Sequence, residues 1–421
     1  MSDIIQHPYS WLLHFQLYYP LIMACVWMIG ALYYYFHWET GQRHLLQNPP
    51  QLSESPPVSI IVPCYNEADN IEETITFLLD SVYPHFEIIA VNDGSSDDTA
   101  TILDSLCARH EKLRVIHLAK NQGKSMALRM GALLSPHDYL ICIDGDALLD
   151  KYAINWMMSH LLSGARVGAV TGNPRIRTRS TLLGKIQVGE FSAIIGLIKR
   201  AQRIYGRVFT VSGVVTAFRK AALHQTGYWS LHTVTDDIDI SWRMQLNHWD
   251  IRFEPNALCW ILMPETFRGL WQQRVRWAQG GMEALLEHGR EMFAWRKRRM
   301  WGVCIEYLTS VFWAYGMALV IVIWCLQHVI AVPQWLQIPT LIPGWKGVIL
   351  GTTCLLQFAV SMLIDSHYER NMGKYYYWMI WYPIAYWVLS ILTTVVAIPK
   401  AFYYRKKKRG TWESPDRGVR P

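Results

Sequence analysis

The stretch Asp138–Asp150, "DYLICIDGDALLD", poses the problem whose solution decides the fold. Tyr139–Ile143 is an apolar run of strand length, with Cys142 inside it, suited to a dry core. It stops at Asp144-Gly145-Asp146, two carboxylates separated by one glycine. Like charges this close push at least one carboxylate toward protonation unless a cation lies between them. In an open α/β sheet, ligands bind just beyond the carboxyl ends of the strands.

Working outward, the preceding residues alternate between strand-like and helix-like patterns. "VSIIVPCYNE" (Val58–Glu67) is a β-branched run stopped by Pro63, and the next fifteen residues, Ala68–Val82, place Ile71, Ile75, Leu78 and Leu79 on one helical face. "FEIIAVNDGSSDDT" (Phe86–Thr99) is a strand ending in a polar turn, and a helix is expected from Thr99 to His110. "LRVIHLA" (Leu113–Ala119) is a third strand, and "NQGKSMALRMGALL" (Asn121–Leu134) is a loop and a helix. This alternation predicts an α/β domain with a mostly parallel sheet and helices on both faces. Three strand ends then bring Tyr65-Asn66-Glu67, Asn92-Asp93-Gly94 and Asp144-Gly145-Asp146 to one edge. A lone DxD is a weak signal, whereas three acidic strand ends in one series are a strong one.

The rest of the chain has a different texture. Of 421 residues, 51% are hydrophobic, only 17% are charged, and 20 are Trp, which points to a membrane. Leu17–Phe36 carries no charge and is about as long as the ~20 residues needed to span a bilayer. With no basic region before it and no small-residue cleavage site after it, it is not expected to be a cleaved signal. Further runs lie at Tyr307–Val332, Gly347–Ile364 and Tyr375–Ile398, with Trp and Tyr near their ends as interfacial anchors. The expected organisation is a membrane segment and linker (1–50), a soluble domain (51–264), an amphipathic interface region (265–301), C-terminal membrane segments (302–404) and a basic tail (405–421). The basic runs Arg296–Trp301 and Arg405–Arg409 flank membrane segments and account for part of the net charge of +7. Positive residues favour the cytoplasmic side of a membrane, so nucleic acid is not the expected partner. Three crossings after a cytosolic domain would put Arg405–Arg409 outside. The preferred resolution is that one run is broken or lies along the interface, Pro383 being able to break the last one; the alternative is a tail that is an exception to the rule. The eight scattered cysteines form no CxxC pair and are read as reduced thiols, with the soluble part on the cytosolic side.

A carboxylate pair at a strand end suits a hard divalent cation, Mg2+ or Mn2+, which in such sites usually grips phosphates. Asp144 and Asp146 are therefore candidates to hold a metal-bound diphosphate. Asp93 is a candidate acceptor for a base or ribose, or else a turn and cap residue. Lys124 either faces a phosphate or begins a solvated helix.

"SIIVPCYNE", "VNDGSSDDT", "NQGKSMALRMG", "CIDGDA", "TDDIDISWRM" and "QQRVRW" resemble, in order and spacing, the motifs of glycosyltransferase family 2, the processive membrane synthases. The resemblance covers about Tyr18 to Asp416. Ala169–Gly206 and Ala257–Gly281 are most similar to members that make the β-1,6-linked poly-N-acetylglucosamine of bacterial biofilms. It implies a GT-A-type domain between transmembrane helices, in a bacterial inner membrane with the catalytic domain cytosolic. It also implies inverting polymerisation from UDP-N-acetylglucosamine and export of the growing polysaccharide. Residue by residue, it places Pro63, Tyr65, Glu67, Asp93, Lys124 and Asp144 on the nucleotide sugar, and Asp144 and Asp146 on the metal. Asp237 matches the catalytic base, and Asp236, Gln273, Arg276 and Trp277 fall on the acceptor side. Asp236 stands where the family has Glu, and the chain shows one N-terminal membrane segment where close relatives often have two.

Elementary chemistry agrees with these roles. A sugar hydroxyl is a poor nucleophile until a positioned carboxylate takes its proton. A departing nucleoside diphosphate needs its charge neutralised. One displacement at the anomeric carbon inverts an α-linked donor without a covalent intermediate. The identity of the sugar and its linkage come from the resemblance alone. Other family-2 synthases, of cellulose, chitin or hyaluronan type, stay open as alternatives. So does a single-transfer polyprenyl-phosphate sugar transferase, which does not need Gln-x-x-Arg-Trp, and so does a non-catalytic transporter or sensor. The resemblance further implies a small membrane subunit and control by cyclic di-GMP. Arg175, Arg177, Arg179, Lys185, Lys199, Arg200 and Arg203 are either fork-like phosphate ligands or a solvated, lipid-headgroup-facing surface.

Overall fold

The strand expected at Tyr139–Ile143 forms with those bounds, as β4 of an eight-stranded sheet. The computed structural model describes residues 10–42, 48–338, 340 and 344–404. The tail 405–421, including Arg405–Arg409, lies outside the described residues. The other strands are β1 (Val58–Cys64), β2 (Phe86–Asn92), β3 (Leu113–His117), β5 (Leu148–Leu149), β6 (Val167–Ile176), β7 (Val215–Arg219) and β8 (Asp250–Ile261). Their order is β3-β2-β1-β4-β7-β6-β8-β5.

The first four strands are parallel, joined by helices as the alternation predicted. Side chains of β1 go alternately to the two faces. Val58, Ile60 and Val62 pack with Ile71, Ile75 and Leu78 of the helix Ile71–Leu79, while Ile61 packs with Leu128 and Ala132 of the helix Lys124–Leu134. The second half of the sheet is mixed, and the sheet as a whole is mostly parallel, as expected. β7 runs antiparallel to both β4 and β6, β6 and β8 are parallel, and β5 is antiparallel to β8. Between β6 and β7 the chain runs through a buried helical segment, Leu182–Tyr205, instead of a helix that crosses the sheet.

Among the described residues, three helices are long and apolar enough to cross a membrane: Trp11–Glu39, Trp295–Leu326 and Trp345–Asp365. They contain most of the first three expected runs. The fourth is not one helix. It passes through a 3-10 turn (Tyr377–Trp381) and a π turn (Tyr382–Tyr386) that contains Pro383, before an α-helix from Trp387 to Tyr404. The break falls where proline removes a backbone donor and crowds the preceding turn.

A buried ion network joins the sheet to these helices. Arg200 donates Nε and Nη2 to Glu39 at 2.6 and 3.0 Å, and Nη1 to Asp365 at 3.1 Å. Arg175 donates Nη1 to Asp365 at 2.5 Å and Nε to Glu369 at 3.1 Å, and Arg179 also pairs with Glu369. Tyr368 donates its hydroxyl to Glu39. Neither expected role of the basic residues survives for Arg175 and Arg200, which are wholly buried and paired with carboxylates of this chain. Arg203 pairs with Asp250, Arg177 with Glu73, and Lys185 lies over the Trp378 ring. The reason lies in the tertiary structure: Glu39 and Asp365, which meet Arg200 and Arg175, end two long apolar helices distant in sequence.

Candidate active site

The loops after β1 and β2 interlock. Asn66, held at a positive φ of 54°, accepts from Ser96 N at 2.9 Å and donates its own N–H to Ser95 Oγ. Glu67 N donates to Thr99 Oγ1 at 2.8 Å. Pro63 is buried in β1, Tyr65 is half-buried at its end, and the Glu67 carboxylate is buried against Gly145. The first and third acidic strand ends therefore touch.

Asp93 has a task that its sequence context did not reveal. It is fully buried, and its two oxygens accept from Gln122 N and Gly123 N at 2.8 and 2.7 Å. It shapes the loop that delivers Lys124. From the start of its helix, Lys124 forms an ion pair with Asp144 and donates to Gly213 O at 3.0 Å. Burial works against the charge on Lys124, but Asp144, Asp236 and Asp237 outweigh it and its pKa is raised. The Asp144 carboxyl is pushed up by burial, with Lys124 opposing and Asp146 adding to the shift.

Asp236 and Asp237 open the helix Asp236–Leu246. Asp237 accepts from Ile238 N at 3.0 Å and lies against Gly213, where an added Cβ would sit 3.5 Å from its Oδ2. Burial first, then Asp236, pushes the Asp237 carboxyl up to about 6, with Lys124 and Arg276 pulling it down. The helix Phe267–Met292 closes this side. It passes so near that a Cβ at Gly280 would overlap the Thr235 side chain just before Asp236.

The structure thus gathers Lys124, Asp144, Asp236, Asp237 and Arg276 around one centre, with Asp146 beside Asp144. Gln273 and Trp277 lie further along the second helix. The Gln273 amide nitrogen reaches Met263 Sδ at 3.8 Å, and its Oε1 is buried without a hydrogen bond. Trp277 is half-buried against Phe191, with the Arg274 guanidinium 4.4 Å from its ring centre. Arg274 and its partner Glu190, 2.7 Å away, were not singled out from the sequence. Tyr382 donates to the same Glu190 at 3.3 Å and also lines a cavity of about 370 Å³ between the apolar helices.

Among the described residues, no cluster of three or more His, Cys, Asp or Glu side chains stands ready for a metal. Two carboxylates with hard oxygens fit Mg2+ or Mn2+ when diphosphate and water complete the shell.

Residues 56–280, just over half of the chain, match the family described as glycosyltransferase like family 2. The chain belongs to glycosyltransferase family 2. It is 38% identical over 405 residues to a poly-β-1,6-N-acetyl-D-glucosamine synthase of Staphylococcus epidermidis, covering 96% of this chain and 98% of that protein. It is also 38% identical over 410 residues to the synthase of the same name from Staphylococcus aureus strain MSSA476, again covering 96% and 98%. A mannosyltransferase from Pyrobaculum calidifontis, solved with GDP-Man and Mn2+, shares the fold. Its TM-score is 0.57 at 16% identity, covering 93% of this chain and all of that one. The mixed sheet of this family-2 chain is therefore a fold that the mannosyltransferase shares.

Proposed function

We propose that this family-2 glycosyltransferase polymerises N-acetylglucosamine, taken from UDP-N-acetylglucosamine, into a β-1,6-linked polysaccharide. The observation that carries the reaction type is Asp237 at a helix start, across Gly213 from the Lys124–Asp144 pair. The sugar and linkage rest on the near-full-length similarity to the staphylococcal synthases.

In this reading, Pro63, Tyr65 and Glu67 line the nucleoside end, and Asp93 holds the loop that presents Lys124. Asp144 and Asp146 hold Mg2+ or Mn2+. The cation would neutralise the charge that builds on the departing diphosphate. Asp237 takes the proton from the acceptor hydroxyl as that oxygen attacks the anomeric carbon, and the configuration inverts. Trp277 offers an indole face to the acceptor sugar, beside Gln273 and Arg276, with Asp236 next to the base.

Residues 51–264 are read as the catalytic domain, on the cytosolic side of a bacterial inner membrane where UDP-sugars are found. The cavity between the apolar helices supports passage of the product outward. It has aromatic walls, Tyr19, Trp27, Trp313 and Trp387, with Gln357 as a polar group. The link from Arg274 through Glu190 to Tyr382 connects the acceptor helix to that wall. A transferase that stops after one sugar has no use for such a route. Cyclic di-GMP control through a small membrane subunit remains part of the reading. Because Arg175, Arg179, Arg200 and Arg203 are already paired, a dinucleotide site would be shared with that subunit.

Membranes containing the protein should be given UDP-glucose, UDP-N-acetylglucosamine and UDP-glucuronate separately. A β-1,6-linked polymer is expected from UDP-N-acetylglucosamine only. A polymer from another donor, or a single lipid-linked sugar, overturns the assignment.

A further inference from the structure

Lys199 follows the π-helical turn Ser192–Ile198 and is 97% buried. Among the described residues its side chain donates one hydrogen bond, from Nζ to Thr171 Oγ1 of β6 at 3.2 Å. Among the described residues no carboxylate pairs with it within 4.0 Å. A lysine buried this way is unusual, because moving an ammonium out of water is costly unless something nearby uses the charge. The Thr171 hydroxyl also accepts from Ser212 N at 2.7 Å. The next residue, Gly213, accepts from Lys124 through its carbonyl and lies against the Asp237 carboxylate. Two lysines therefore hold one turn, Lys124 directly at Gly213 and Lys199 through Thr171, and that turn lies against Asp237.

We propose that Lys199 is a positioning residue for Asp237: through Thr171 it fixes the Ser212–Gly213 turn, and its charge keeps the base ionised. This rests on the reading of Asp237 as the base. The charge balance around the site supports it. Asp144, Asp146, Asp236 and Asp237 converge there, and a donor brings a diphosphate as well. Lys124 is committed to Asp144, and Arg276 is exposed. The charged groups facing Asp237 are Asp236 on its own helix, Lys124, Arg276 and Lys199, and among the described residues Asp237 is the charged group that acts on Lys199.

Burial lowers the Lys199 amine to about 7, with Asp237 opposing that shift. Asp237 loses its proton near 6. Lys199 is therefore mostly protonated at the pH where the base ionises. Removing its charge raises the proton affinity of Asp237, so activity should need a higher pH.

The test uses the full-length protein in membranes, with kcat and KM for UDP-N-acetylglucosamine measured from pH 5 to 9. For Lys199→Met, the acid limb of kcat should move up by about one unit, which lowers kcat roughly tenfold on the acid side. KM should stay unchanged, and Lys199→Arg should restore most of the limb. Thr171→Val keeps the charge but removes its tether, so it should shift the limb the same way by less. That variant decides the matter if Lys199→Met does not fold. An unmoved acid limb in the folded variants overturns the proposal, as does a change confined to KM. Asp237→Asn, run alongside, separates the two readings: if it still turns over, the assignment of the base fails, whatever Lys199 does.

Discussion

Replacing Arg200 with Met should destabilise the packing of the sheet domain against the long apolar helices by several kcal/mol. In the ion network, Arg175, Arg179 and Arg200 balance Glu39, Asp365 and Glu369. Without Arg200 one negative charge is left over in a region where Arg175, Asp365 and Glu39 are at most 3% exposed. Glu39 would keep only the Tyr368 hydroxyl among the described residues, while Asp365 would still have Arg175. Removing one partner of a buried pair typically costs about 3–5 kcal/mol, because the other charge stays behind unpaired. At roughly 2–4 °C of Tm per kcal/mol, the apparent Tm in detergent should fall by about 6 °C or more. Intrinsic fluorescence is a suitable probe, given 20 Trp in the chain. Arg200→Lys should not rescue the loss, since an ammonium cannot supply the fork that meets Glu39 and Asp365 together. Adding Glu39→Gln to Arg200→Met should recover part of it, and the double-mutant cycle would give the coupling. The control is Arg177→Met, whose pair with Glu73 is largely exposed and should be worth at most about 1 kcal/mol. Equal, small shifts for Arg200→Met and Arg177→Met would refute a buried, charge-balanced network.

Other perturbations address the chemistry. Asp237→Asn should lower polymer synthesis by roughly a hundred- to ten-thousand-fold while leaving UDP-sugar binding nearly intact, because the amide keeps the shape and loses the base. Near-normal turnover in purified membranes would move the base elsewhere, with Asp236 next in line. Asp146→Ala should weaken donor binding and raise the Mg2+ or Mn2+ requirement together. If the unmutated protein binds UDP equally well in excess EDTA, the metal assignment to Asp144 and Asp146 is wrong. Gly280→Ala should displace Thr235 and the start of the catalytic helix, cutting kcat by an order of magnitude or more, since backbone displacement near the base disturbs its alignment. Unchanged kcat would show that the helix gives way at little cost.

The sequence alone was enough for the half of the fold where each strand is followed by its own crossover helix. Both periods, two and 3.6, are local properties of the chain. β4 and the acidic ends of β1, β2 and β4 could be read from them directly. The hydrophobic runs likewise marked the long apolar helices, and Pro383 marked where the last one departs from a single α-helix. Asp144, Asp146 and Asp237 were singled out because their motifs are short, ordered and chemically distinctive. None of these inferences required knowing what lies beside a residue in space.

Only the tertiary structure decided the antiparallel entry of β7, because strand direction there depends on where the chain returns after Leu182–Tyr205. It also separated residues that look alike in the sequence. Lys199 and Arg200 are adjacent in "LIKRAQRIYG", and both read as basic surface. In the fold, Arg200 meets Glu39 and Asp365 from two long apolar helices, while Lys199 bonds the Thr171 hydroxyl beside the Ser212–Gly213 turn. Asp93, read from the sequence as a ligand contact or a turn residue, anchors the Lys124 loop through two backbone bonds about thirty residues away in sequence. Hydrophobicity and helix or strand period are carried by neighbours along the chain and survive in the sequence. The partner of a buried charge is set by long-range packing, and a charged side chain carries no local mark of which opposite charge it will meet.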